Sequence, residues 1–194
     1  MARRSYIADD KTTASVLPAA PVPSGAGRVL RYQLDVVADT AQDVLQSAGG
    51  WLCDRALAGW DVNVMVATGD TRGLTILGAT ALDWTDGYLS TVRNSAPGGT
   101  LAVSADLLAT DAGVRAEMSR VLKRGATEVI VWGRRWPTGL GRAADSVTHR
   151  VSTAARAFKS HALLAAGLVV TDGGGATEEL FRVETKSVRP LHSV

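Results

Sequence analysis

Residues 125–142, GATEVIVWGRRWPTGLGR, decide how this chain is read. Val129, Ile130, Val131 and Trp132 form an unbroken apolar run, three of them β-branched. Such residues favour strands, and continuous apolarity predicts burial on both faces. Gly125, just ahead, suits the left-handed position that ends a helix. Residues 133–141 cannot extend the strand, because Pro137 lacks an N–H and glycines favour turns. In a parallel sheet, the loop leaving the carboxyl end of a strand is where ligands sit. Arg134 and Arg135 stand in that loop between Trp132 and Trp136, and Arg142 follows. Guanidinium groups pair phosphates and indoles offer stacking faces, so Arg134, Arg135, Trp136 and Arg142 are candidate contacts for an anionic partner. The bland alternative places the arginines against the protein's own carboxylates and the tryptophans in the core.

The same order of helix, glycine and apolar strand occurs at Gly59, ahead of DVNVMVAT, and again at Gly167, ahead of Leu168, Val169 and Val170. Helices alternating with strands make right-handed parallel crossovers natural. The expected fold is therefore α/β: a three-layer Rossmann-like domain with a mostly parallel central sheet, a flexible N-terminal arm and a C-terminal hairpin. Further strands are expected near residues 28–37, 74–77 and 100–103. Asp39 or Thr40 can cap a helix whose Ala41, Val44, Leu45, Ala48 and Leu52 share one face. Gly49 and Gly50 interrupt it and mark a break or a close packing contact. Residues 79–95 suit a helix interrupted at Gly87. Asp111 can cap a helix with Val114, Met118, Val121 and Leu122 on one face. The longest helix is expected over residues 141–166, where Arg142, His149 and Arg156 recur by sevens beside Lys159 and extend a basic surface. Residues 167–184 read as the hairpin, turning at Gly173, Gly174 and Gly175, with Glu178 and Glu179 facing solvent.

Of the 194 residues, 46% are hydrophobic and 21% charged, which describes a globular chain. The boundaries expected are an arm over 1–27, one α/β domain over 28–186 and a tail over 187–194. The arm holds Pro18, Pro21 and Pro23, with Tyr6, Ile7, Val16 and Leu17 as apolar anchors for a partner or a second subunit. A net charge of +2 argues against sequence-blind DNA binding by the whole surface, though not against a local patch. The lone cysteine, Cys53, excludes an internal disulfide and points to a reducing cytoplasm. It reads as a small buried hydrophobe. No run is long enough for a membrane helix, and no apolar stretch follows Arg3 and Arg4 to make an export signal.

A second candidate loop holds Thr68, Asp70 and Arg72, but it lacks the spacing of a dinucleotide fingerprint or a phosphate-binding P-loop. His149, His161 and His192 lack metal-site spacing, and no nucleophile elbow is present, so neither metal nor cofactor is expected. Asp35, Asp39, Asp70 and Asp106 lie near expected strand ends as possible acids or ligands, and nothing in the sequence chooses among them. Residues 160–169 and the glycine turn after them superficially resemble the recognition helix and wing of winged-helix regulators, without the compact helices such a module needs. Two main readings of function follow. One is a non-catalytic interaction or regulatory protein binding a protein or nucleic-acid partner through the Arg/Trp loop. The alternative is a small enzyme, or a nucleotide- or phosphate-ligand-binding protein, using the loops at the carboxyl ends of the strands. A third is a structural subunit with an apolar face covered by a partner. Catalysis is left open, and homo-oligomerisation is possible.

Overall fold

In the computed structural model, residues 32–84, 87–133, 136, 145–170 and 174–183 are described. They belong to the unit Arg31–Val194. The arm at 1–27, the tail at 187–194, and Arg134, Arg135 and Arg142 lie outside the described residues. The elements are β1 (Gln33–Thr40), α1 (Ala41–Ser47), α2 (Gly49–Leu57), β2 (Asp61–Thr68), α3 (Arg72–Ile76), β3 (Thr80–Leu82) and α4 (Tyr88–Arg93). After these come β4 (Thr100–Ser104), α5 (Ala105–Thr110), α6 (Ala112–Arg124), β5 (Glu128–Trp132), β6 (Asp145–Arg150), α7 (Thr153–Ala165) and β7 (Thr177–Val183).

The strands form one sheet in the order β3-β2-β1-β4-β5-β7-β6. β1 to β5 are parallel, while β7 runs antiparallel to both β5 and β6. The mixed α/β fold with a mostly parallel sheet is thus as the sequence predicts. The apolar run at 129–132 explains how the layers close. Ile130 and Trp132 face a core with α1, α2, α3 and α7, while Val129 and Val131 face a second core with α4, α5 and α6. A strand with side chains in both cores has no solvated face, hence its unbroken apolarity.

Local signals hold at several ends. The Thr40 hydroxyl accepts from Asp43 N at 3.1 Å to cap α1. The Asp111 carboxylate accepts from Val114 N at 3.0 Å to cap α6, and Gly125 closes that helix at φ +67°. The Gly49-Gly50 pair is both a break and a packing contact. α1 and α2 separate at Ala48, and a Cβ on Gly50 would lie 2.6 Å from Val151 Cγ1.

Four expectations are corrected. Residues 74–77 are not a strand: α3 covers most of them, and the short edge strand β3 comes later. The long helix does not form. Within 146–150 exposed and half-buried residues alternate as in an edge strand, with Val147 and His149 on the inner side, and the Ser152 hydroxyl starts α7 by accepting from Ala155 N. Leu168, Val169 and Val170 form no strand. The antiparallel pair at the C-terminus is instead β6 with β7, and α7 connects them. Finally, Glu178 is buried. It meets the Lys159 ammonium at 2.6 Å, with both side chains about 5% exposed or less.

Two of the described residues expected on the basic surface, Lys159 and His149, do not lie free on it. Lys159 is internal, and His149 sits on β6 against Asp54 at 2.9 Å. On α6, Arg120 joins Arg93 of α4 in holding the buried Glu117, at 2.5 and 2.7 Å. Hydrogen bonds from Arg93 first, then Arg120, outweigh burial and bring the Glu117 carboxyl down to about 2. Its ionised form is therefore favoured by folding. The stabilisation is complete above the ordinary carboxylate range and is lost as pH falls through the folded value. Glu117→Gln is accordingly expected to unfold more readily than the parent at neutral pH. In urea titrations the difference should shrink between about pH 4.5 and about pH 2. A gap that stays constant over that window would contradict the assignment.

Candidate functional site

The order 3-2-1-4-5 reverses direction between β1 and β4. From β1 the chain moves outward to β2 and β3, then returns across the sheet to β4. At such a reversal the segments leaving the two strand ends part, and a crevice opens beyond their carboxyl ends. A polar crevice of about 730 Å³ lies there, lined by Thr40, Asp43, Asp106, Gly133, Glu178 and Glu179 among others.

Each wall follows from local structure. Asp43 occupies the first turn of α1, where the helix end favours a carboxylate. Trp132 is fully buried, and its indole Nε1 donates to Asp43 Oδ2 at 2.9 Å. The Ser47 hydroxyl donates to Oδ1, also at 2.9 Å. Asp43 is thus fixed from two sides while it lines the crevice. Asp106 stands in the first turn of α5, exposed, and its carboxylate has no hydrogen-bond or ion-pair partner among the described residues. Gly133 carries the chain off β5 at φ +134°, and a Cβ there would lie 2.7 Å from Ala105 Cβ. Only glycine lets β5 end so close to the start of α5. Along β7, Glu179 accepts from Thr148 at 2.8 Å and Ser146 at 3.2 Å. Glu178 turns inward, accepting from Gly50 N and Trp51 N at 2.8 and 2.7 Å, at the start of α2.

The sequence-derived candidates fare unevenly. Trp136 lies against Phe181, ring centroids 6.0 Å apart. Its Nε1 is buried without an acceptor among the described residues. The second loop stands at the end of β2, separated from the end of β5 by β1 and β4, so the two loops do not sit at adjacent strand ends. Asp70 and Arg72 pair with each other at 2.5 Å on the surface, and that bond holds the Asp70 carboxyl below its usual range. Thr68 bonds the Asp39 carbonyl at 3.3 Å. Asp35 is not at a strand end; it accepts from Gln33 and Asn63 within the sheet. Of the four aspartates considered from sequence, Asp106 alone lines the crevice. Asp43 was missed because its place after Thr40 reads as ordinary helix capping. Burial, with the charges of Asp54 and Glu178, pushes the Cys53 thiol up to about 11, so it is no nucleophile.

No family model matches the chain, and no curated protein sequence matches it. Solved structures do. The A40926 pseudoaglycone deacetylase superposes with a TM-score of 0.53 at 14% identity, covering 81% of this chain and 99% of that one. A teicoplanin deacetylase in complex with teicoplanin gives 0.52 at 11% identity, covering 77% and 97%. The zinc-inhibited form of the teicoplanin deacetylase Orf2 gives 0.51 at 11%, with the same coverage. This chain has the fold of these deacetylases. The expectation of a non-catalytic, regulatory or nucleic-acid-binding protein is corrected by that finding, since the three structures named with this fold are deacetylases. Part of the physical reason is also visible, because Lys159, expected beside a basic surface, is in the core.

Zinc is an inhibitor in one of those structures. Among the described residues, no group of three or more His, Cys, Asp or Glu could hold a metal ion. The described lining therefore does not fit a zinc site, and the chemistry available in it is that of carboxylates, hydroxyls and amides. Nor is any described helix long and apolar enough to cross a membrane.

Proposed function

We propose that this chain is a small hydrolase that removes an acyl group from the amine of a polar, polyhydroxylated molecule bound in the crevice between β1 and β4. The observation that carries the reading is the crevice lining: carboxylates, hydroxyls and amides without a described cationic side chain. Such a lining accepts hydrogen bonds from sugar hydroxyls and stabilises a developing ammonium. It disfavours phosphate, so a nucleotide is the weaker form of the enzyme reading. The deacetylase fold, and the A40926 pseudoaglycone and teicoplanin named with those enzymes, agree with an N-acylated polar substrate.

In this reading Asp106, which has no described partner, takes a proton from water as the water oxygen attacks the acyl carbon. The C–N bond then breaks, and the proton passes to the departing nitrogen, leaving a carboxylic acid and an amine. Asp43, held by Trp132 and Ser47, keeps acceptor capacity for a substrate hydroxyl or for the amine. A reducing cytoplasm suits the buried, unpaired Cys53.

The test is release of free amine from N-acetylated amino sugars and N-acyl glycopeptides, with and without added zinc. Asp106→Asn should lower kcat by roughly a hundredfold or more while leaving the melting temperature near the parent's. Asp43→Asn should mainly raise KM. Absence of hydrolysis from every N-acyl amino sugar, or full activity in both variants, would overturn the proposal.

A further inference from the structure

A second cavity lies on the face of the sheet beneath α2, away from the crevice, where β4 and β5 begin. It is bounded by Trp51, Arg55 and Trp60 on one side and by Ile130, Val147 and Leu180 on the other. Its free space is about 50 Å³. At roughly 10–15 Å³ per water-sized group, that is room for about four heavy atoms.

Its charges are arranged unequally. Arg182 and Glu128 both line it, but they pair at 3.0 Å, and Thr100 donates to the other Glu128 oxygen, also at 3.0 Å. His149 gives one ring nitrogen to Asp54. Hydrogen bonds from Ser152 and His149 outweigh burial and hold the Asp54 carboxyl below its usual range. Arg55 is different. Its guanidinium lies 4.7 Å from the Trp60 ring centroid and 5.9 Å from that of Trp51. Tyr32 stacks on Trp60 at 5.0 Å. The two indoles hold the guanidinium by cation–π contact, yet its N–H donors meet no carboxylate or carbonyl among the described residues. A planar cation with free donors, lining a small cavity that also has the apolar walls Ile130, Val147 and Leu180, matches a carboxylate with a short apolar tail.

We propose that this cavity binds a short-chain carboxylate of two or three carbons. The carboxylate would lie against Arg55 and its methyl or ethyl group on Ile130, Val147 and Leu180. The inference does not depend on the reaction proposed for the crevice.

The experiment is a titration with sodium acetate and sodium propionate at constant ionic strength. It is followed by tryptophan fluorescence, since Trp51 and Trp60 line the cavity, and by calorimetry. Acetamide, isosteric and neutral, and sodium chloride are the controls. Saturable binding of acetate is expected, with none of acetamide. Arg55→Gln should weaken it tenfold or more. Val147→Phe, which keeps Arg55 but fills the cavity, should abolish it, and both variants are checked for a parent-like melting curve. Asp43→Ala, in the crevice, should leave it unchanged. Identical responses to acetate and chloride, undiminished binding in Arg55→Gln or Val147→Phe, or loss only in Asp43→Ala would each overturn the assignment.

Discussion

Glu178→Ala is expected to destabilise the protein by about 3–5 kcal/mol, the usual cost of removing one partner of a buried ion pair. The Lys159 ammonium, 5% exposed, would lose the only carboxylate it meets among the described residues and keep the Gln46 carbonyl at 2.8 Å as an acceptor. Gly50 N and Trp51 N would lose their acceptors at the same time. For a chain of this size such a change corresponds to a fall in melting temperature of roughly 6–20 °C. Removing both charges should cost less than the singles imply. In Lys159→Met with Glu178→Gln, no unpaired charge is buried, and the new amide oxygen can still accept from α2. A double-mutant cycle by urea unfolding separates the cases. Additive single effects would mean that the pair is not coupled, contrary to its geometry.

Trp132→Ala should cost a comparable amount, about 3–5 kcal/mol, because a fully buried indole leaves a cavity that the neighbouring strands cannot collapse to fill. Trp132→Phe is the more informative variant. It keeps most of the packing and removes only the N–H donated to Asp43. Its stability cost should fall to about 1.5–3 kcal/mol, the range for losing a hydrogen bond to a charged group. If Asp43 contacts substrate as proposed, the freed carboxylate should also raise KM. Urea unfolding checks the first expectation and steady-state kinetics the second. A Phe variant as stable as the parent would show that the indole–carboxylate bond contributes nothing.

Much of the scaffold is legible in the chain because burial leaves a compositional trace. The run at 129–132 could be read because both its faces are covered, and Thr40, Asp111 and Gly125 because end geometry is local. Strand β6 was hidden by a coincidence of periods. Val147 and Val151 fit a helical stripe as well as the inner face of an edge strand, and the polar residues between them fit either. Leu168, Val169 and Val170 erred the other way. They are apolar like a strand, but Leu168 N closes back on Leu163 O at 2.9 Å, and Val169 is left 81% exposed. The candidate site was the least legible part. Its defining contact joins Trp132 to Asp43, 89 positions apart, and the carboxylate behind it reaches Gly50 from 128 positions away. Only the strand order brings such residues together, and no local pattern encodes that order.

The antiparallel edge also constrains the order of assembly. β6 precedes β7 in the chain, yet it touches the sheet only through β7, which lies between it and β5. During synthesis, β1 to β5 can pair as they emerge, each against a strand already made. Residues 145–150 have no such partner until 177–183 have left the ribosome. Until then Lys159 also waits for Glu178. β7, the last strand among the described residues, therefore acts as the keystone of a structure otherwise built from its beginning, and a nascent chain halted before it would leave β6 unpaired and Lys159 of α7 without Glu178.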